Sequence, residues 1–470
     1  MKSGLDREIL RLAIPSIIAN LTVPLVGMVD TAVAGHLDAG SAAAFIGGIS
    51  VGSMLFSLLY WSFGFLRTGT GGLTAQAFGR DDRYGQARIL FRGVALAFLI
   101  AAALLLIQWP FVKLALLLVN ASAEVEALAE QYFFIRIWAA PATLSLMAFS
   151  GWFVGMQDTM SSMWKDFIVN GVNIAASLIL SLGIGPWGGL GFRGVALGTV
   201  IAQYSGLLFC VAVGLVKYRR DVFTRENLSE MKGVLSGSDM KSFFKMNLDL
   251  VGRSAGFIAI YIGYTVIAAG FGDVYLACSQ IMMQLLMIFS YFTDGFAYAG
   301  EALTGRFIGA RDNAMLRRSV THVFAWSMGI GALFIGIYAL TGGPMIRLMT
   351  SDKTVIRACS AFIPWLAAMP PLGCAAFTWD GIYMGATDSR RIRNAMLGAA
   401  VSFFAVWLGF RLGFSLIRTE PVGRGVTAMM KSLGGEKCLH ILLAAYFAHL
   451  LFRTVYLTWR YPRSRWSNPS

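Results

Sequence analysis

Charge is what this sequence has least of. Only 14% of its 470 residues are Asp, Glu, Lys or Arg, and acids are the scarcer sign, 25 against 39 bases. Histidine is rarer still. The four residues His36, His322, His440 and His449 are dispersed, and no HExxH or DDxxD stretch occurs, which argues against a membrane-embedded enzyme working by metal or acid-base chemistry. The five cysteines (Cys210, Cys278, Cys359, Cys374, Cys438) form no CxxC pair, so neither a disulfide framework nor a metal site is implied. A GxxxxGK[ST] segment is also missing, and with it any encoded ATPase chemistry. Lys2, Arg7 and Arg11 precede the first apolar run, but that run is longer than a secretory h-region and lacks a cleavage site. It reads as a retained first helix.

What the chain has in quantity is apolar length. It is 57% hydrophobic with a mean hydropathy of +0.65. Counting apolar runs gives about twelve spans, near 10–35, 42–66, 90–109, 126–150, 162–184, 194–216, 246–270, 274–304, 320–341, 354–384, 394–416 and 438–459. That is an all-α polytopic membrane protein, with little left for a soluble domain. The formal charge of +14 could suggest a nucleic-acid partner, so its placement matters more than its size. Clusters at the N-terminus, at Arg80, Arg83, Arg88 and Arg92, at Lys217, Arg219, Arg220 and Arg225, at Arg306, Arg311, Arg317 and Arg318, at Arg390, Arg391 and Arg393, and at Arg460, Arg463 and Arg465 all fall on one side of a twelve-span topology. The positive-inside rule makes that side the cytoplasm, with both termini there. No nucleic acid is called for. One loop disagrees, because Arg418, Arg424, Lys431 and Lys437 would face outward.

A repeat organises the spans. "GGLTAQAFGRDDRYGQAR" (71–88) and "EALTGRFIGARDNAMLRR" (301–318) align at an offset of 230, bringing Leu73, Thr74, Gly79, Asp82 and Arg88 onto Leu303, Thr304, Gly309, Asp312 and Arg318. The register continues with Pro141, Gly151, Gly155 and Asp158 on Pro371, Gly381, Gly385 and Asp388, and one residue later with Arg193-Gly194-Val195 on Arg424-Gly425-Val426. Shared Asp, Arg, Pro and Gly at one offset indicate two homologous halves. Six spans per half make the repeat parallel, two six-helix lobes related by a pseudo-twofold along the membrane normal. The expected division is a lobe at 1–216, a cytoplasmic linker at 217–245 and a lobe at 246–470.

The segments "ILRLAIPSIIANLTVPLVGMVDTAVAGHL", "GWFVGMQDT", "GIGPWGGLGFRGVALGTVIAQY", "YFTDGFAYAGEALTGRFIGARD" and "WDGIYMGATDSRRIRNAML" resemble the multidrug and toxic compound extrusion (MATE) transporters, the last two its DinF-like branch. The resemblance covers roughly residues 5 to 410 and fades across the last span. It implies a V-shaped cavity between the lobes, a bacterial inner-membrane location, and export of organic, often cationic, small molecules in exchange for H+ or Na+, with no other cofactor. Membrane lipid is the expected surrounding and a monomer the expected form. A lipid-linked saccharide flippase of the same superfamily is the rival. It would line its cavity with cations for a pyrophosphate, and Arg67, Arg136 and Arg253 keep it open.

Asp30, the sole acid between Glu8 and Asp38, matches the family's first-helix acid, its proton- or cation-binding site. A carboxylate in a low-dielectric wall favours its neutral form and can exchange a proton for a cation. Against this, Asp30 lies about 30 Å along its helix, where water near the outer edge could solvate it. Asn170, Asn173 and Ser177 share one face of the fifth helix. The resemblance implies that an Asn here holds the first-helix acid. Ser177 stands where a second acid is common, and this favours H+ over a Na+ cage of several hard oxygens. Asp294 and Glu301, seven apart on one face of the eighth helix, and Asp380 on the tenth have Gly64, Gly71 and Ser150 as their repeat partners, so the scaffold does not require them. They are candidates for a substrate or second proton site, or for ion pairs with Arg253, Arg136 or Arg67. Pro15 and Pro24 should bend the first helix, and the resemblance links the bend at Pro15 to the state of the acid. Tyr60, Trp61, Trp152 and Trp379 are candidate cavity aromatics, and Gly48 and Gly52 read as close helix packing.

Overall fold

A chain immersed in hydrocarbon has no water to satisfy its backbone, so each apolar segment must close its own hydrogen bonds as a helix. The computed structural model describes residues 2–37, 41–117, 122–183, 188–229, 238–418 and 425–461, and no strand occurs among them. The expected outward-facing bases Arg418, Arg424 and Lys431, and Arg463 and Arg465 near the C-terminus, have side chains outside the described set. The helices are α1 (Lys2–Leu37), α2 (Ala42–Ser62), α3 (Phe65–Gly79), α4 (Arg83–Leu116), α5 (Ala123–Arg136), α6 (Ala140–Gly155), α7 (Thr159–Leu182), α8 (Phe192–Lys217), α9 (Arg225–Ser229), α10 (Ser238–Ala269), α11 (Asp273–Gly309), α12 (Asn313–Met349), α13 (Lys353–Ser360), α14 (Ile363–Gly385), α15 (Ser389–Arg418) and α16 (Gly425–Arg460). Among the described residues, eleven segments are long and apolar enough to cross a membrane, and α13 with α14, bent by 53° at their junction, make a twelfth when the pair is taken as one span. Side chains such as Leu106, Val216 and Leu348 stand 82%, 84% and 89% exposed, a surface that suits lipid rather than water.

The described chain divides into two units. One comprises Arg11–Asn247 with Gly305–Ala310, the other Met1–Leu10, Leu248–Thr304 and Arg311–Ser470. The first ten residues therefore pack with the later half. There the Asp6 carboxylate accepts from the Trp326 indole at 3.0 Å and lies 2.8 Å from His322 Nδ1. In the first unit α7 runs along α8, α3 along α6 and α2 along α5, and in the second α15 packs on α16 and α12 on α14.

The repeat has a physical origin in its turns and crossings. Asp81 and Arg311 (φ 55° and 57°), and Gln157 and Thr387 (φ 60° and 55°), are left-handed residues placed at the same offset. Non-glycine residues rarely adopt that region, and here each precedes an aspartate. Asp82 caps α4 by accepting from the Gly85 amide at 2.7 Å, and Asp312 caps α12 through Met315 at 2.9 Å. Asp158 caps α7 through the Ser161 amide. The shared glycines mark close approaches. A Cβ on Gly151 would strike the Arg67 carbonyl oxygen where α6 crosses α3, and one on Gly381 would strike the carbonyl of Ala297, the repeat partner of Arg67. Gly48 and Gly52 do the same service for α2 against Leu128 and Tyr132 of α5.

Alanine at Gly151 or Gly381 should therefore lower stability by about 1–3 kcal/mol. Gly171→Ala, where a Cβ meets nothing within 4 Å, should be neutral or slightly stabilising. Thermal unfolding of the purified protein in detergent checks both, and unchanged melting for the first two would contradict the crossing geometry.

Candidate proton and substrate sites

Asp30 sits in the last two turns of α1 and is buried, 6% exposed, rather than solvated at an outer edge. Its Oδ1 has no hydrogen-bond donor among the described residues. The buried Ser177 hydroxyl of α7, which donates to the Val195 carbonyl at 3.5 Å, stands beside the carboxylate, and Arg136 is the cation whose field acts on it. Arg136, the last residue of α5, is fixed from several sides. Its Nη1 donates to Tyr132 Oη at 2.9 Å and Ser53 Oγ at 3.3 Å, and its guanidinium lies 4.8 Å from the centre of the Phe56 ring. Tyr132 stands one turn before Arg136 on α5, and Ser53, Phe56 and Tyr60 share a face of α2, so helical spacing alone assembles this wall.

Neither asparagine forms a hydrogen bond to Asp30 among the described residues. The Asn170 amide donates to Thr22 Oγ1 of α1 at 2.6 Å, and that of Asn173 to Thr199 Oγ1 of α8 at 3.0 Å. All three α7 residues share the expected face, but Asp30 is level with Ser177, a turn beyond Asn173. Close packing brings α8 there, since a Cβ on Gly198 would strike the Ser177 backbone nitrogen. α1 runs unbroken through both prolines. Pro15 has no N–H for the Arg11 carbonyl, and Thr159 Oγ1 of α7 donates to that carbonyl instead, at 3.3 Å. Among the aromatics, Trp152 is core rather than cavity. It is fully buried and donates to the Gln86 carbonyl at 2.9 Å. The first unit also buries Lys165, whose Nζ lies 2.7 Å from Asp166 and donates to Ser150 Oγ at 2.6 Å. A lysine inside an apolar run was the available sign of it.

In the second unit Asp380 on α14 is ion-paired, as one of its two expected roles required. Its Oδ2 receives Nη2 of Arg253 from α10 at 3.1 Å and Nη2 of Arg453 from α16. Arg453 is 2% exposed and was not singled out from sequence, because it lies in the divergent last span outside the repeat register. Asp294 is half-buried with Tyr291 in its field, and Glu301, two turns further along α11, is fully buried. Trp379, beside Asp380, donates to Thr458 Oγ1 at 2.7 Å.

The sequence profile of the MatE family matches residues 15–179 and 253–413, covering both halves of the repeat. The chain belongs to the MatE family. It is 34% identical over 409 residues to DNA damage-inducible protein F of Escherichia coli K12, covering 86% of this chain and 87% of that one. It is 24% identical over 422 residues to a probable multidrug resistance protein NorM of Photorhabdus laumondii, covering 88% of each. A solved outward-facing structure of a multidrug resistance MATE family transporter of the MOP superfamily superposes with a TM-score of 0.77 at 17% identity, over 97% of this chain and 96% of that one. A MatE chain of this kind is a multi-pass membrane efflux transporter for small molecules and not an enzyme. Its architecture is that of two six-helix lobes.

Outside the spans the MatE fold carries another buried carboxylate. Asp158, at the α6–α7 turn, accepts from Ser161 Oγ at 2.6 Å, Tyr218 Oη at 2.7 Å and Lys217 Nζ at 2.6 Å, tying that turn to the end of α8. Burial pushes its carboxyl up, but the Lys217 ammonium and the Ser161 and Tyr218 hydroxyls outweigh burial and hold it below the ordinary 3.8. A carboxyl held lower in the folded state stabilises it fully above the unfolded value, and that contribution is lost as pH falls through the folded one. Asp158→Asn should melt lower than the parent at neutral pH and show a flatter decline below about pH 4. Thermal scans across the acid range check this, and parallel curves at all pH values would contradict it.

Proposed function

We propose that the chain exports organic, often cationic, compounds across a bacterial cytoplasmic membrane by antiport with protons, and that Asp30 carries the proton. The observation behind this is a carboxylate on a membrane-spanning helix, buried to 6% exposure, with one oxygen lacking a donor among the described residues. Such a group is costly to keep ionised and is functional by default. Arg136 supplies the switch. With Asp30 ionised the pair is balanced and the wall tolerates a cationic cargo, whereas protonation leaves the Arg136 charge unopposed and repels it. Proton and cargo thus exclude one another, and linkage makes the exclusion reciprocal. An inward-facing state loads cargo onto the ionised site, and an outward-facing state releases it when Asp30 is protonated.

Proton rather than sodium coupling is supported by the local oxygens. A Na+ cage wants several hard ligands, and Ser177 stands where a second acid would have supplied one. In this reading α1 bends at Pro15 and Pro24 as Asp30 changes charge, Pro15 being where the helix has already lost a backbone bond. The basic clusters at Arg80–Arg92 and Arg306–Arg318 support cytoplasmic termini.

In proteoliposomes, a fluorescent organic cation should leave under an imposed pH gradient and not under a sodium gradient, and Asp30→Asn should cut the proton-driven rate at least about tenfold, as for loss of the coupling group. Equal export by both proteins, or export driven by sodium, would overturn the reading.

A further inference from the structure

We propose that Arg253 and Arg453, joined through Asp380, form a site in the second unit for a carboxylate borne by the exported compound, so that preferred cargo is zwitterionic rather than purely cationic. This rests on the export reading above but not on its coupling ion. Two guanidiniums converge on one carboxylate, and both place Nη2 on the same oxygen, Asp380 Oδ2. An arginine does not deprotonate in a protein, so the cluster keeps a surplus positive charge. The second arginine is one more than charge balance with Asp380 requires.

The surplus has donors to offer. Nε of Arg253 and Nε of Arg453 are both buried with no acceptor among the described residues. The guanidinium fork matches a carboxylate in bidentate fashion, so an incoming anion satisfies the donors and the charge together. Arg453 is the fixed member, 2% exposed and 5.4 Å from the centre of the Phe377 ring, while the Arg253 side chain is 23% exposed and forms the approachable edge. His449, one turn before Arg453 on α16 and 2% exposed, adds a buried Nδ1 that meets no hydrogen-bond criterion among the described residues. At 1.5 Å per residue, Arg253 lies about 14 Å from the start of its span, and Arg453 and Asp380 about 10 Å and 8 Å from the ends of theirs. All three are within hydrocarbon depth, where an unbalanced cation is retained for use.

The test compares two probes that differ by one methyl, a rhodamine with a free carboxylate and its methyl ester, titrated by fluorescence anisotropy into the purified full chain without any gradient. The carboxylate probe should bind at least about tenfold more tightly than the ester, one bidentate charge-assisted pair being at stake. In Arg253→Gln the acid-to-ester preference should fall toward unity, and Arg253→Lys, which keeps charge but not the fork, should fall between. Damage to folding alone weakens both probes alike and leaves their ratio intact. No preference in the parent chain, or a ratio unchanged in both variants, overturns the proposal. The gradient-driven efflux of the ester reads the antiport mechanism separately, so failure of coupling and failure of the anion site give different results.

Discussion

In a medium without water, a polar group must find its partner within the protein or justify its exposure by use, and most of this structure follows from that constraint. The backbone obeys it by forming helices throughout the spans. Hydroxyls obey it by bonding back along their own helix, as Ser16 does to Leu12 and Ser145 to Pro141. Where proline removes an amide at position 15, Thr159 from another helix supplies the missing donor. Among the buried side-chain atoms that lack a hydrogen-bond partner within the described residues are one oxygen of Asp30 and the Nε atoms of Arg253 and Arg453, each on a charged group.

The two units use the constraint in opposite senses. The first sets one carboxylate near one arginine held by Tyr132 and Ser53. In the second, one carboxylate serves two arginines and leaves a surplus of positive charge. The repeat supplied both with the same scaffold and different chemistry. Position 150 is a serine that takes Lys165, and its counterpart at 380 is the acid that takes both arginines.

The spans were legible because hydrophobic length is a direct reading of bilayer thickness, and the repeat because its turns and crossings admit few residues. Asp82, Asp158, Gly151 and Gly381 recur for reasons of cap geometry and carbonyl clearance that no neighbouring choice can relax. Asp30 was legible as a lone acid. What sequence left open was level along a helix: Asn170 and Asn173 lie on the expected face, yet they stand about two turns and one turn short of Ser177, and their amides donate to Thr22 and Thr199. Arg453 escaped notice because its partners come from α14 and α10, about 70 and 200 positions earlier in the chain, and nothing local advertises such a meeting.

The glycine crossings also bear on how the molecule can move. Where Gly151 lies on the Arg67 carbonyl and Gly381 on that of Ala297, there is room for a hydrogen and nothing more. Sliding either helix by one residue would drive a neighbouring side chain into the opposing backbone. Each pair is therefore keyed like a mortise joint, free to travel as a block and barred from slipping along its own seam.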